Sequence, residues 1–288
     1  MGSFSILNNI SGLNAQNQLN LNNVSLSRTL LRLSSGKRIN SGADDAAGLQ
    51  IADTLRANTY ALNQAVRNAN DGIGVAQIAD GALQEITNLL TRSVTLAEEA
   101  ATDTIDDTGR QSLDAEFTQI EAEIARIANK TNFNGQSLFQ PASGLQGNLV
   151  VFVGDITGAS SISVSISTIT ADVAAGTVSG LGTADLTTVN LATIATAATS
   201  LTAIKTALQE VSKMRGSIGA GMNRLQSAVA VLQTQSQNTA AAESSIRDAN
   251  IAEEVGNLTK YQILAQSGMA ALAQANSSSQ SVLSLLRG

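Results

Sequence analysis

The chain has 288 residues, of which 43% are apolar but only 2% aromatic, a composition that suits thin layers of Ala, Leu, Ile and Val helices better than a ring-filled core. Its formal charge is −6 with no basic block, which excludes a nucleic-acid binder that works by neutralising phosphates. Cysteine and histidine are absent, which excludes a disulfide scaffold, most zinc sites and the usual general base.

The first residues, MGSFSILNNISGLNAQ, carry no basic segment and no long apolar run. No cleaved signal peptide is expected, and no stretch reaches the ~20 apolar residues of a membrane helix. Ile6, Ile10 and Leu13 stand four and three apart, and Leu19, Leu26, Leu30 and Leu33 continue a stripe after a shift. A helical arm is predicted. Asn at 8, 9, 14, 17, 20, 22 and 23 makes it marginal alone, so it needs a partner helix.

The stretch 33–52, LSSGKRINSGADDAAGLQIA, mixes Gly36, Gly42 and Gly48 with Ser, Asn and Asp. That is turn and N-cap chemistry, so a polar joint is predicted, with a new helix capped near Asp44 or Asp45. Beyond it Leu62, Val66, Ala69, Ile73, Ala76, Leu83, Leu90, Val94, Ala97 and Ala101 follow four-and-three steps. Only Asp80 and Thr87 interrupt this long, coiled-coil-like stripe. Gly72, Gly74 and Gly81 lie inside it and are expected to be close packing points. DTIDDTG (103–109) reads as a turn that caps the next helix, whose stripe is Leu113, Phe117, Ile120, Ile124 and Ile127. NKTNFNG (129–135) stops that helix.

The period then changes. Leu149–Val153 is an apolar run, and Ile162, Val164 and Ile166 alternate with serines. Strand, turn and strand are predicted, with a further hairpin or loop over about 170–188. Helix returns with Leu201, Ile204, Leu208, Val211, Ile218, Met222, Leu225, Val229 and Leu232, broken only by Arg215. After a polar passage to Asn250, Ile251, Val255, Leu258, Ala265, Met269 and Leu272 form a last stripe. Val282, Leu283, Leu285 and Leu286 add an apolar tail.

The layout is close to palindromic. Pairing the first helix with the last, and the long inner helices with each other, gives a mainly α fold: an elongated antiparallel helical bundle or coiled-coil rod formed by N- and C-terminal segments, with a small central β-hairpin region. The expected domains are 1–45 with 245–288, a discontinuous inner terminal coiled coil, and 46–244, a helical rod carrying the hairpins at about 140–190. An enzyme is not expected. Ser34-Ser-Gly-Lys37 fits a Ser-x-x-Lys pattern but lacks its companion motifs, and Gly36-Lys37 lacks the rest of a phosphate loop. Asp103, Asp106 and Asp107 lack the spacing of a calcium loop, which leaves helix capping as the better reading. No catalytic, cofactor or metal residues are assigned.

Several blocks resemble bacterial flagellin, in family order and over nearly the whole chain apart from about 140–200. Residues 33–52 resemble its N-terminal signature, and RNANDGIGVAQIADGALQEI (67–86) its second block. NFNGQSLF (132–139), SSIRDANIAEEVGNLTKYQILAQSGMAALAQAN (244–276) and VLSLLR (282–287) resemble its later blocks. The middle is short, with no room for large outer domains. The resemblance implies a structural subunit of the flagellar filament, extracellular, that polymerises through its terminal helices for swimming motility. A hook–filament junction protein of the same superfamily is the alternative. Implied partners are identical subunits, the flagellar type III export machinery and its chaperone, cap and junction proteins, and Toll-like receptor 5. The residues expected to drive polymerisation are Ile6, Ile10, Leu13, Leu26, Leu30, Leu33, Ile251, Val255, Leu258, Met269, Leu272 and Leu285. By the same resemblance, Arg92, Leu96 and Glu116 match positions central to receptor binding.

Overall fold

The structure is a computed structural model and describes residues 9–140, 148–154, 160–166, 168–172, 177–181, 185–187 and 189–287. The side chains of 171, 172, 177, 179, 180, 279 and 282–287 are outside the described parts. The described residues form long α-helices that pack together and small antiparallel hairpins. Contacts divide the chain into two units, 1–57 with 238–288, and 58–237. Both boundaries fall inside helices, where the sequence reading put them at 45 and 245.

The first unit is built on α1 (Ile10–Ser35) and α5 (Ile251–Arg287). α1 starts where the Asn9 side chain accepts the Gly12 N–H at 2.8 Å, which satisfies a free first-turn donor. It stops at Gly36, whose φ of 68° suits a residue without Cβ. α5 runs antiparallel to α1. Asn9 Nδ2 donates to the Ala275 carbonyl at 3.2 Å, Leu19 lies against Gly268, and Arg32 meets Glu254 at 3.3 Å. The unit also holds the start of α2 (Ala46–Ala100) and the end of α4 (Ile194–Arg247).

The joint is tied down rather than free. The Arg38 backbone N–H donates to the Arg247 carbonyl at 2.7 Å, and its guanidinium to the Ile246 carbonyl at 2.7 Å. The Ala249 N–H returns a bond to the Gly36 carbonyl at 2.9 Å. Asp44 and Asp45 divide the capping work. Asp45 takes the Gly48 N–H at 2.8 Å and opens α2. Asp44 accepts from the Ser41 and Asn40 N–H groups at 3.1 and 3.3 Å. Burial pushes the Asp44 carboxyl up, but the bonds from Asn40 and Ser41 outweigh it and hold the group below its usual range.

The second unit contains the main core. Leu62, Ala69, Ala76, Leu83, Leu90 and Ala97 of α2 are buried with Ile204, Val211, Ile218, Leu225 and Leu232 of α4. Phe117, Ile120 and Ile124 join them from α3 (Asp107–Lys130). The two charged breaks in the stripes meet each other: Arg215 Nε donates to Asp80 Oδ1 at 2.8 Å. A charged pair inside an apolar seam costs desolvation but fixes register, because any slip strands both groups. Ser236 to Asn63 at 3.0 Å is a second rung between the same antiparallel helices. Thr87 bonds back to the Leu83 carbonyl at 2.7 Å, so its hydroxyl needs no outside partner. Asp106 caps α3 by taking the Gly109 N–H at 2.9 Å, and Asp107 pairs with Arg110 at 2.9 Å.

The first hairpin was not foreseen. β1 (Asn132–Phe133) and β2 (Gln136–Ser137) flank Asn134-Gly135, whose φ values of 50° and 79° are those of a two-residue turn with both centres left-handed. The second follows the expected alternation. β3 (Asn148–Phe152) pairs with β4 (Ser161–Ser165) with Val150 opposite Ser163, so Leu149 and Val151 face inward. β5 (Ile169–Asp172) and β6 (Thr177–Leu181) make a third hairpin, with a register shift between Thr170 and Ala171.

The glycine expectation holds at one of three positions. A Cβ on Gly72 would stand 2.5 Å from Val151 Cγ2, so β3 is seated against bare α2 backbone there. A Cβ on Gly74 or Gly81 would meet nothing within 4 Å. The matching close approach on α4 is Gly221, where a Cβ would stand 2.5 Å from Val164 Cγ1.

One buried carboxyl gives a pH prediction. Glu121 of α3 accepts the Val178 N–H of β6 at 2.9 Å. Burial pushes this carboxyl above its usual range, the Val178 N–H pulls it down and Asp185 repulsion adds to the rise. The folded chain therefore holds this proton more tightly than the unfolded one. The contribution is complete below the ordinary carboxylate pKa and is lost as pH rises through the elevated one. Glu121→Gln keeps an acceptor for Val178 and removes the titration. Thermal melts across pH should show the variant gaining stability relative to wild type as pH rises through that window. A difference that does not change with pH would reject this role.

Candidate assembly surface

The seam between α1 and α5 is not the most apolar stripe of either helix. On α1 the buried and half-buried positions are Gly12, Ala15, Leu19, Asn22, Leu26, Thr29 and Leu33, in steps of three and four. On α5 they include Glu254, Leu258, Tyr261, Ala265, Gly268, Leu272 and Ala275, again in heptad steps. Small and polar residues take up much of this seam. Gly12, Asn22, Thr29 and Glu254 are its most enclosed members. Within the buried Arg32–Glu254 pair, Arg32 Nε and Glu254 Oε2 find no hydrogen-bond partner. Such a seam sets register but contributes little burial energy.

The larger apolar side chains point away from it. Ile10 is 64% and Leu13 58% exposed, and Leu21, Val24, Leu30 and Leu31 are exposed along the same helix. On α5, Ile251, Val255, Ile263, Leu264 and Met269 are exposed. Among the described residues of this unit, Ile39 and Ala52 are the buried apolar side chains. The terminal pair thus presents an unusually large apolar surface for a soluble chain.

Of the sequence-assigned arm residues, Ile10, Leu13, Leu30, Ile251, Val255 and Met269 lie on the outward faces. Leu26, Leu33, Leu258 and Leu272 are half-buried in the α1–α5 seam. Ile6 and the Leu285 side chain lie outside the described residues. The sequence reading passed over Val24 and Leu31 of α1. Their signal was present: Ile10, Val24 and Leu31 fall on one seven-residue repeat with Asn17 as its polar member.

The receptor-like trio separates. Arg92 donates through Nε and Nη2 to Glu116 Oε1 at 2.9 and 2.7 Å, an exposed clamp between α2 and α3. Leu96 is 0% exposed and belongs to the core. A contact through Leu96 is therefore corrected: its side chain has no surface to offer, because the α2 stripe turns it inward.

Comparison with known proteins agrees with this layout. The profile of the bacterial flagellin N-terminal helical region matches residues 6–143. That of the bacterial flagellin C-terminal helical region matches 201–286. The chain belongs to the bacterial flagellin family. Flagellin FlaB1 of Treponema pallidum is 38% identical, with 98% of this chain and 99% of that one covered. The flagellin of Bacillus subtilis is 37% identical over the same shares. A solved structure described as a flagellar hook-associated protein, from Vibrio parahaemolyticus, is 16% identical with a TM-score of 0.55, covering 71% of this chain and 100% of that one. That likeness is one of fold alone. Flagellin relatives spanning the chain leave the hook–filament junction alternative with less support. Among the described residues, no helix is long and apolar enough to cross a membrane.

Proposed function

We propose that this flagellin builds a helical flagellar filament by laying the outward apolar faces of α1 and α5 against those of neighbouring copies. The chain is a structural filament subunit, and its role is mechanical rather than catalytic. The carrying observation is the inverted distribution in the terminal unit: polar and small residues inside the pair, Ile10, Leu13, Val24, Val255 and Met269 outside. Burying one such side chain fully is worth roughly 1.5–3 kcal/mol, so neighbours can supply the core that the pair lacks. Contacts that do not close into a ring continue into an open helix. The product is a surface filament outside the cell, reached by the flagellar type III route without a cleaved signal peptide. An export chaperone would cover the same apolar faces before assembly, and cap and junction proteins would meet them at the filament ends.

The test is seeded assembly followed by negative-stain electron microscopy. The intact chain should give long uniform filaments, and a chain lacking residues 1–33 and 251–288 should give none. Filaments from the truncated chain would place the assembly contacts elsewhere. Capped stubs from the intact chain would favour a junction protein.

A second surface serves recognition of the free subunit. The exposed Arg92–Glu116 clamp is the remaining part of the Toll-like receptor 5 candidate. Glu116→Ala frees Arg92 and should weaken signalling by the monomer. Equal signalling by wild type and variant in a reporter-cell assay would remove this reading.

A further inference from the structure

The second unit carries an apolar patch that its own core does not use. Strand alternation turns Val150 and Phe152 of β3 outward, 62% and 50% exposed. Phe133 of β1 is 42% exposed. With only five phenylalanines in the chain, two of them stand at one open groove of about 370 Å³ between α2 and the β1–β2 and β3–β4 hairpins. The groove is built on rigid parts. Gly72 lets Val151 approach the α2 backbone, and Asn68 Nδ2 holds the Phe152 carbonyl at 3.2 Å.

We propose that this hairpin face and its groove are a second assembly interface, occupied by another copy of the same chain. The inference rests on the filament reading and extends it. A single heterologous contact, repeated, makes one thin helical strand, so a tube wall takes at least two distinct contacts per subunit. The terminal faces supply one and lie in the other unit. Charge points to a copy as the occupant. Every copy carries a formal −6, so a contact between copies must be locally neutral to avoid like-charge repulsion. The outward hairpin positions are Asn148, Val150, Phe152, Ser161, Ser163 and Ser165, with no charge among them. Asp71 is the sole charged residue lining the groove, and no buried charged group there would read a polar ligand. The result is an apolar ridge beside a flat row of hydroxyls, which packs well against an apolar segment.

The absence of cysteine makes the test direct, because Val150→Cys introduces the chain's single thiol. Its maleimide reaction should be fast in the monomer and at least about tenfold slower in filaments. Separately, Phe152→Ser with Phe133→Ser should raise the critical concentration for assembly about tenfold or more while the monomer melting temperature changes little. Equal thiol reactivity in monomer and filament, or an unchanged critical concentration, overturns the interface. Failure of the Val150→Cys chain to assemble where wild type does supports it. Failure of the wild-type chain itself to form filaments overturns the filament reading and this interface together.

Discussion

Serine at Ile10, Leu13 and Val24 together should suppress filament formation while leaving the fold of the second unit intact. These side chains are exposed in the isolated chain, so little native packing is lost. In the filament they become part of a shared core. Losing about 1–2 kcal/mol of burial at each site sums to roughly 3–6 kcal/mol per subunit contact. That corresponds to an increase in critical concentration of about a hundredfold or more. Seeded assembly followed by sedimentation reads this directly. Serine at the exposed polar neighbours Gln16 and Gln18 on the same helix is the control and should change assembly little. Equal loss from the polar set would mean that helix propensity, rather than apolar burial, governs assembly.

The second large effect concerns the hairpin seats. Gly72→Val or Gly221→Val should destabilise the second unit by about 2–4 kcal/mol. At each position the new Cβ alone would stand 2.5 Å from a valine methyl of the β3–β4 hairpin. Valine at β positions has few rotamers with which to yield, so the hairpin must lift off its helix. Alanine at the same sites regains up to ~1 kcal/mol of helix propensity, which offsets part of the clash. Gly74→Ala and Gly81→Ala meet open space and should stabilise the monomer by that same ~1 kcal/mol. Chemical denaturation of the four variants decides the matter. A stabilising Gly221→Val would mean that the hairpin does not sit where the helix backbone requires it.

Much of the architecture could be read from periodicity. The stripe on α2 and its counterpart on α4 are buried as their four-and-three steps imply, because nothing competes for those faces. Asp80 and Arg215 looked like separate flaws in separate stripes, and only the fold shows that they are partners. The terminal helices were harder. Their sequence carries more apolar residues than one seam can hold, and the richest stripe is not the one that faces the partner helix. Gly268 opposite Leu19, and Asn22 and Thr29 enclosed within the pair, are choices that intrinsic hydrophobicity ranks last. They become intelligible when the richest faces are reserved for other copies. The β1–β2 hairpin was legible in Asn134-Gly135 and was passed over because the helix stop accounted for the same residues. Leu96 was misplaced for a different reason. A motif match locates a residue in a family pattern, whereas its exposure depends on which way the α2 stripe turns.

The central claim is that the terminal pair is incomplete in the monomer and finds its core in neighbouring copies. Hydrogen–deuterium exchange of the α1 and α5 backbone amides, in monomer and in filament, tests this most directly. Weak protection in the monomer, far below that of the second unit, should become strong protection in the filament. Terminal helices already as protected in the monomer as the buried stripes of α2 and α4, with no gain on assembly, would contradict it.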